Sequence, residues 1–414
     1  MAEAPPRPRI AVVVQRYGAE IGGGSEVHAR VVAERLAPHY DVEVLTTCAL
    51  DYTTWKNHYP PGLTAVNGIT VRRFSVAEKR SPRFMEKFER IFWHAHSDED
   101  ERELLRMQGP YSPAMLEHLA RTRDEFDLFF FFTYLYHPTC FGLPLIGRKA
   151  VLQPTAHDEE MIYLRHFDTV FHSTPHLVFG SEEEKRFTAR RFCLPSHAGR
   201  VSGVGIGEEA NLAPDASWDA FRKRVENTRL VTYVGRIDRG KGCQTLVDHF
   251  LRYLHDTKRA DVRLLLIGTK AMEIPAHPAI LAPGYVTAHF KREALRASTV
   301  SIAPSSLESL CMAALEAWSE GCPVLASGHS QVLVGHCLRS NGGLWFRDYA
   351  EFRLALDRFL SNEEFARVLG EQGRTYVKAN YTWPQVERVY REVLDEAIAD
   401  NRGRSQVSRR LGDG

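Results

Sequence analysis

The sequence predicts an α/β protein built from two successive doubly wound domains. Three observations carry this expectation. Near-continuous apolar strands such as Arg9-Ile-Ala-Val-Val-Val-Gln15 recur along the chain, as they do in parallel sheets covered on both faces. Helical patterns separate these strands. The alternation then restarts in the second half at Leu230-Val-Thr-Tyr-Val234, after a connection rich in glycine, small and polar residues.

The chain opens as a β-α-β unit: the Arg9 strand, a helix from Val27 to about Pro38, and a strand from Asp41 to Thr46. Gly22-Gly23-Gly24-Ser25-Glu26 stands at the start of that helix. Glycines there let backbone N–H groups approach an anion, although a surface loop would use the same residues. The segment is neither a G-x-G-x-x-G fingerprint nor a P-loop with its lysine. Ile69 to Phe74 is a further strand. Across Ser75 to Arg123, the cations Lys79, Arg80, Arg83, Lys87 and Arg90 alternate with Phe84, Phe88, Phe92 and Trp93, and an acidic patch covers Asp98 to Glu103. One or two amphipathic helices explain this pattern; a surface for a lipid-linked or anionic acceptor is the functional alternative.

The apolar run from Phe126 to Ile146 is interrupted by Asp127, His137, Pro138 and Pro144, so it reads as a buried strand, Leu128 to Phe132, rather than a membrane span. The strand from Ala150 delivers His157 and Asp158 at its carboxyl end, where open α/β sheets place ligands. Phe171 to Ser173 and Leu177 to Ser181 continue the alternation, followed by a helix from Glu182. The second half repeats the pattern, with strands at Val262 to Ile267, Gly284 to Val286, Val300 to Ala303 and Val324 to Ala326. Helices cover Gln244 to His255, Tyr349 to Leu360, Asn362 to Asn380 and, last, Gln385 to about Ala399.

Composition excludes several classes. The 414 residues are 44% hydrophobic and 25% charged, enough for the cores of two or three soluble domains. A net charge of +1 gives no support for a nucleic-acid binder. The seven cysteines lack any C-x-x-C pair, which fits reduced thiols in a cytoplasm and no metal site. Pro5, Pro6 and Pro8 interrupt the N-terminal segment where a signal core would stand.

Two stretches of the second half carry the chemistry. In Gly235-Arg236-Ile237-Asp238-Arg239-Gly240-Lys241-Gly242, two cations follow a strand end among glycines, an arrangement that clamps a diphosphate with a planar fork and a compact charge. In the run from Ala303 to Ala326, Ser305 and Ser306 read as N-caps of a helix that continues to Gly321. Glu308 would then sit in its first turn and Glu316 roughly 12 Å further along, both facing one cleft. Such a helix start suits phosphate, and the deeper carboxylate suits a pair of sugar hydroxyls.

Together these motifs resemble glycosyltransferase family 4, retaining sugar-nucleotide transferases of the GT-B fold. The matching residues are Gly22 to Glu26, Thr155-Ala156-His157-Asp158, Gly235 to Asp238 with Lys241-Gly242, and Glu308-x7-Glu316 followed by Gly321-x-Pro323-Val324. The resemblance spans roughly Arg9 to Asn401. It implies that Arg236 and Lys241 hold the donor diphosphate and that Glu316 binds the ribose hydroxyls. Glu308, with the backbone amides of Leu310 and Cys311, would hold the donor sugar. His157 would reach that sugar from the first domain, and Gly23 and Gly24 would approach the phosphates. It implies no metal and no cofactor beyond the UDP- or GDP-sugar donor. The acceptor would be a glycan or a lipid-linked glycan of bacterial-type polysaccharide or glycoconjugate biosynthesis, with peripheral association at the inner face of the membrane an added expectation. A GT-B sugar-nucleotide epimerase and a catalytically silent scaffold are the alternatives.

The expected organisation is a disordered N-terminus (1–8), an acceptor domain (9–205), a donor domain (206–384), a helix crossing back to brace the first domain (385–400) and a disordered tail (401–414). Three departures from the family pattern bear on the donor more than on the reaction. Leu310-Cys311 replaces the usual Phe-Gly, Ser327-Gly328-His329 replaces Gly-Gly-x-x-Glu, and Ser202-Gly203-Val204-Gly205 replaces Asn-Gly-Val-Asp.

Overall fold

The computed structural model describes residues 6–207 and 215–412, the last nine as backbone alone. The chain divides into two compact units: Met1–Gly203 with Glu387–Gly414, and Val204–Val386.

Unit 1 is built on one sheet: β1 (Arg9–Val13), β2 (Asp41–Thr47), β3 (Gly62–Val66), β4 (Ile69–Phe74), β5 (Leu128–Phe132), β6 (Ala150–Gln153), β7 (His176–Phe179) and β8 (Arg200–Val201). Their order is β3-β4-β2-β1-β5-β6-β7-β8. The central strands are buried on both faces, which is why they read as apolar runs; β5, Leu-Phe-Phe-Phe-Phe, is buried throughout. All pairs are parallel except β3 with β4, a hairpin closed at Asn67-Gly68, both with positive φ (49° and 80°). That is the turn a two-residue hairpin favours. β3 is absent from the expected elements because it is an exposed edge without apolar alternation (Leu63 is 61% exposed).

Phe171 is the other correction in this unit. It lies in the helix His166–His172, not in a strand. The run after β5 continues into the helix His137–Ile146, and among the described residues no helix is long and apolar enough to cross a membrane.

The Ser75 to Arg123 segment forms the helices Phe84–Trp93, Asp98–Gln108 and Pro113–Arg121. Phe84, Phe88 and Phe92 pack on the core, while Lys87 pairs with Asp100 (2.7 Å) and Glu103, and Arg90 with Asp100 (3.1 Å). The acidic patch thus pairs with two of the five cations, Lys87 and Arg90. Trp93 alone of the aromatics there is fully exposed (80%).

The last helix, Trp383–Gly412, runs twelve residues beyond the expected stop at residue 400. From Glu387 onward it belongs to unit 1. Tyr390 is buried and its hydroxyl donates to Gln153 Oε1 (2.8 Å). Asp395 accepts from Tyr40 (2.7 Å), and Arg402 reaches Asp127 (2.7 Å). The helix continues past Asn401 and Gly403, so a tail expected to be disordered is helical through Gly412. Of the N-terminal segment expected to be disordered, residues 1–5 lie outside the described residues. Arg7 within it donates to the carbonyls of Ala37 (2.9 Å) and Pro38 (3.2 Å).

Unit 2 holds β9 (Arg229–Val234), β10 (Val262–Ile267), β11 (Ile280–Gly284), β12 (Ser298–Ala303), β13 (Val324–Ser327) and β14 (Gly343–Phe346). All are parallel, in the order β11-β10-β9-β12-β13-β14. β11 lies before the position expected from Gly284-Tyr285-Val286, and β14, an edge strand opened by Gly343, is absent from the expected elements. One face of the sheet packs Val231, Leu264 and Val300 on Leu246, Phe250 and Phe352; the other packs Leu230 and Leu265 on Trp218, Phe221 and Phe290. The connection expected at Val201 to Ser217 lies partly outside the described residues, at 208–214, and Asp215 caps the helix Ala216–Arg224.

Candidate active site

In unit 2 the chain leaves β9 toward β10 on one side and reaches β12 on the other. The crevice beyond the carboxyl ends of these neighbouring strands is the topological switch point where open α/β sheets bind ligands. Both chemically informative stretches lie there.

The loop after β9 is shaped by backbone contacts. Tyr233, buried in the strand, donates its hydroxyl to the Arg236 carbonyl (2.7 Å), and Ile237 is fully buried. Asp238 accepts from the Lys241 backbone N–H (2.7 Å) and from Arg236 Nε. Gly242 caps the helix Cys243–Thr257 with φ 74°, and a Cβ there would stand 2.4 Å from the Pro304 carbonyl oxygen. Only glycine lets this loop close on the segment after β12.

The Lys241 ammonium crosses to that segment and meets Glu308 Oε1 at 2.7 Å. The Glu308 side chain is 13% exposed and that of Lys241 38%. Burial works against the ammonium charge, yet the Glu308 carboxylate prevails and holds Lys241 above its ordinary value.

The expected helix carrying both acids is corrected. The helix is Met312–Ser319, so Glu308 precedes it in an irregular loop and only Glu316 is helical. Ser305 and Ser306 do not cap it; Ser305 is buried and donates to the Leu307 carbonyl (3.1 Å). The cap is Cys311, in the left-handed region with φ 64° and ψ 72°. Glu308 and Glu316 therefore do not share a helical face. Each is held by its own lysine, Glu316 by Lys291 at 2.7 Å. Leu310 is buried, and among the described residues the amides of Leu310 and Cys311 donate to no protein group. Lys291 went unnoticed in the sequence because it lies on another helix, Ala288–Ala297, with no motif around it.

In unit 1, Gly23 caps the helix Gly24–Leu36 with no side-chain bond. A Cβ on Gly23 would stand 2.3 Å from Glu26 Oε2. Glu26 is buried and held by Arg16, whose Nε (2.9 Å) and Nη2 (2.6 Å) donate to its Oε1. Arg16 also donates to the Leu50 carbonyl (2.7 Å), so this glycine-rich loop is pinned from below. In the sequence Glu26 reads only as the end of the glycine-rich segment, and Arg16 goes unnoticed.

His157 follows β6 through Thr155, which has φ 50°. Glu184, fully buried, accepts from the Ala156 N–H (2.5 Å) and the Gly180 N–H (2.6 Å) and so anchors the turn. Burial pushes its carboxyl up to about 8 against those hydrogen bonds. His157 Nδ1 lies 3.4 Å from Glu159 Oε1, an oxygen that already accepts from the Tyr134 hydroxyl (2.7 Å). Glu159, Tyr134 and Glu184 had no sequence signal beyond ordinary polar patterning.

Residues 228–362, which hold the whole of the unit 2 site, match the family described as glycosyl transferases group 1. Over 415 residues the chain is 21% identical to an uncharacterized glycosyltransferase of Methanocaldococcus jannaschii, covering 92% of this chain and 96% of that protein. Among solved structures, a sucrose-phosphate synthase from Thermosynechococcus elongatus superposes with a TM-score of 0.67 at 18% identity, over 95% of this chain and all of that one. The Anabaena protein HepE, in complex with UDP and glucose, gives 0.64 at 12% identity, over 94% and 100%. An α,α-trehalose-phosphate synthase (UDP-forming) from Burkholderia vietnamiensis gives 0.67 at 14%, over 95% and 100%. With its two parallel-sheet, Rossmann-like units, the chain has the GT-B fold of these glycosyltransferases.

Proposed function

We propose that the protein is a retaining glycosyltransferase that moves a hexose-type sugar from a nucleoside diphosphate sugar to a glycan or lipid-linked glycan. The observation that carries this reading is the Lys241–Glu308 pair at the unit 2 switch point, with Arg236 on the same loop. Arg236 and Lys241 would neutralise the diphosphate as it leaves, the step at which charge develops. The open amides of Leu310 and Cys311 would donate to the donor beside Glu308. Glu316 would accept from the ribose hydroxyls, a role compatible with its ion pair to Lys291.

With the leaving group stabilised by protein cations, attack on the same face of the sugar would keep the anomeric configuration, and no metal would be needed. The resemblance adds His157, Gly23 and Gly24 as donor contacts, to be tested by substitution. The match of residues 228–362 supports a transferase. HepE, solved in complex with UDP-glucose, supports a UDP-sugar over a GDP-sugar.

The test is a panel of UDP- and GDP-sugars read by thermal shift and then by nucleotide release. A ligand at about 100 times its dissociation constant stabilises the fold by about 2.7 kcal/mol, well within reach of the measurement. The expected result is a raised melting temperature with at least one nucleotide sugar, lost in Lys241→Ala. The reading is refuted if no nucleotide sugar shifts the wild-type melt.

A further inference from the structure

In unit 2, ion pairs tie the helix Ala288–Ala297 to the helix Met312–Ser319. Thr287 caps the first of these, accepting from the Phe290 N–H (3.1 Å), and Phe290, Ala294 and Leu295 are its buried residues. The cations on this helix are Lys291, Arg292 and Arg296. Arg292 lies 3.2 Å from Glu320 Oε1, and Arg296 lies 2.6 Å from Glu320 Oε2. Both oxygens of that carboxylate, whose side chain is 14% exposed, are therefore engaged.

Glu316 stands one turn before Glu320 on the same side of its helix and is held differently. Lys291 Nζ meets its Oε1 at 2.7 Å, and among the described residues no protein group donates to its Oε2. Its side chain is 29% exposed, about twice as open as that of Glu320. The difference follows from the partner. Guanidinium forks occupy a carboxylate, whereas an ammonium is a point charge that can leave the second oxygen accessible. The charges of Glu308, Lys241 and Glu316 all act on the Cys311 thiol, so Glu316 belongs to the same crevice as the Lys241–Glu308 pair. A glutamate left unheld would have to surrender rotamer freedom when a ligand arrived. Lys291 fixes it beforehand, from a helix anchored in the core.

We propose that Lys291 is a positioning residue for the donor: it grips Glu316 by Oε1 and leaves Oε2 to the ribose, so the site selects a ribonucleotide over its 2′-deoxy counterpart. The proposal rests on the transferase reading, in which Glu316 meets the ribose, and adds the residue that aims the carboxylate. Lys291 acts through Glu316 rather than on the phosphates. An ion pair this exposed adds little to stability, so its loss should be read in selectivity and not in the melt.

The test measures calorimetric binding of UDP against 2′-deoxy-UDP, and of GDP against 2′-deoxy-GDP, to the full chain. The pair with the tighter ribonucleotide is then carried through the variants. Wild type should bind that ribonucleotide at least about tenfold tighter than its 2′-deoxy form, the scale of a hydrogen bond to a charged acceptor. In Lys291→Met the ratio should fall to about threefold or less, while 2′-deoxynucleotide affinity stays within about twofold of wild type. Glu316→Ala should lose the preference as well, and adding Lys291→Met to it should change the ratio no further, because the two act as one unit. Lys291→Gln also removes the charge and repeats the measurement should the methionine variant fail to fold. With a nucleotide sugar that turns over, Lys291→Met should raise the donor KM severalfold and leave kcat within about twofold, since the ribose is held alike before and during transfer.

A ribonucleotide preference that persists in Lys291→Met and Lys291→Gln overturns the proposal. So does an equal weakening of both nucleotides, which would put Lys291 on the diphosphate itself, and so does a wild type without the preference. In each of these cases a bound nucleotide leaves the transferase reading standing. Binding of neither UDP nor GDP removes both.

Discussion

The Lys241 ammonium stands 2.7 Å from Glu308 Oε1, joining the loop after β9 to the loop after β12 across the switch point of the unit 2 sheet. With Lys241 38% exposed, an ion pair of this kind contributes about 1 kcal/mol or less to stability. Its importance is positional: it holds a cation and a carboxylate where a diphosphate sugar would meet both.

Lys241→Ala is therefore expected to leave the fold intact while lowering turnover by about 10²- to 10³-fold, the range for losing one charge-stabilising donor. Arg236→Ala should fall in the same range. Circular dichroism checks the fold and nucleotide release checks the rate; wild-type turnover in either variant would remove the diphosphate assignment. Activity should also persist in excess chelator. A loss there that added divalent metal restores would count against protein cations as the leaving-group stabilisers.

Cys311 holds a left-handed backbone (φ 64°) that costs a residue with a Cβ about 1–2 kcal/mol. Cys311→Gly should relieve most of that strain and raise the melting temperature by about 2–4 °C. A β-branched Cys311→Val should lower it. If the glycine variant melts at or below wild type, the cysteine side chain contributes packing that offsets the strain.

Gly242→Ala should do the reverse. Its Cβ would press on the Pro304 carbonyl at 2.4 Å, in a backbone with φ 74°, and neither neighbour is a flexible side-chain end. A loss of about 1–3 kcal/mol in denaturant melts is expected. The two loops it separates carry Lys241 and Glu308, so donor affinity should drop with it.

Glu184 gives unit 1 a pH dependence with a definite sign. Burial raises its folded carboxyl from 4.5 to about 8, so between these values the unfolded chain has lost a proton that the folded chain keeps. The contribution is full below about pH 4.5 and is lost at about 1.4 kcal/mol per pH unit as pH rises toward 8. Thermal melts at pH 5, 6.5 and 8 should show wild type losing ground to Glu184→Gln as pH rises. Parallel curves for the two proteins would mean that Glu184 is already ionised in the fold.

Several elements were legible because their signals are local. The Arg9, Leu128 and Leu230 strands are apolar runs because both sheet faces are covered, and the Gly235 to Gly242 loop shows its glycines where the backbone must turn. β3 was not legible by pattern, since an exposed edge strand has no buried face to impose alternation. Its Asn67-Gly68 turn was the available signal. The helix at Met312 was misplaced by about six residues because Ser305 and Ser306 look like caps, whereas the chain after β12 runs as an irregular loop until Cys311 starts the helix. The end of the last helix was misjudged because Asn401 and Gly403 are poor helix formers, and the contact that holds Arg402 is with Asp127, far away in sequence.

The sequence by itself determined that there would be two parallel sheets, which residues would stand at their strand ends, and that cations and acids would lie among them. These properties depend on the few residues to either side. Only the tertiary structure decided which of those charges meet. Lys241 and Glu308 are 67 residues apart and pair because β9 lies next to β12. Arg73 is buried without an ion pair among the described residues, and Glu20 accepts from the Tyr59 hydroxyl instead. Strand order and register set these distances, and no short stretch of sequence encodes either.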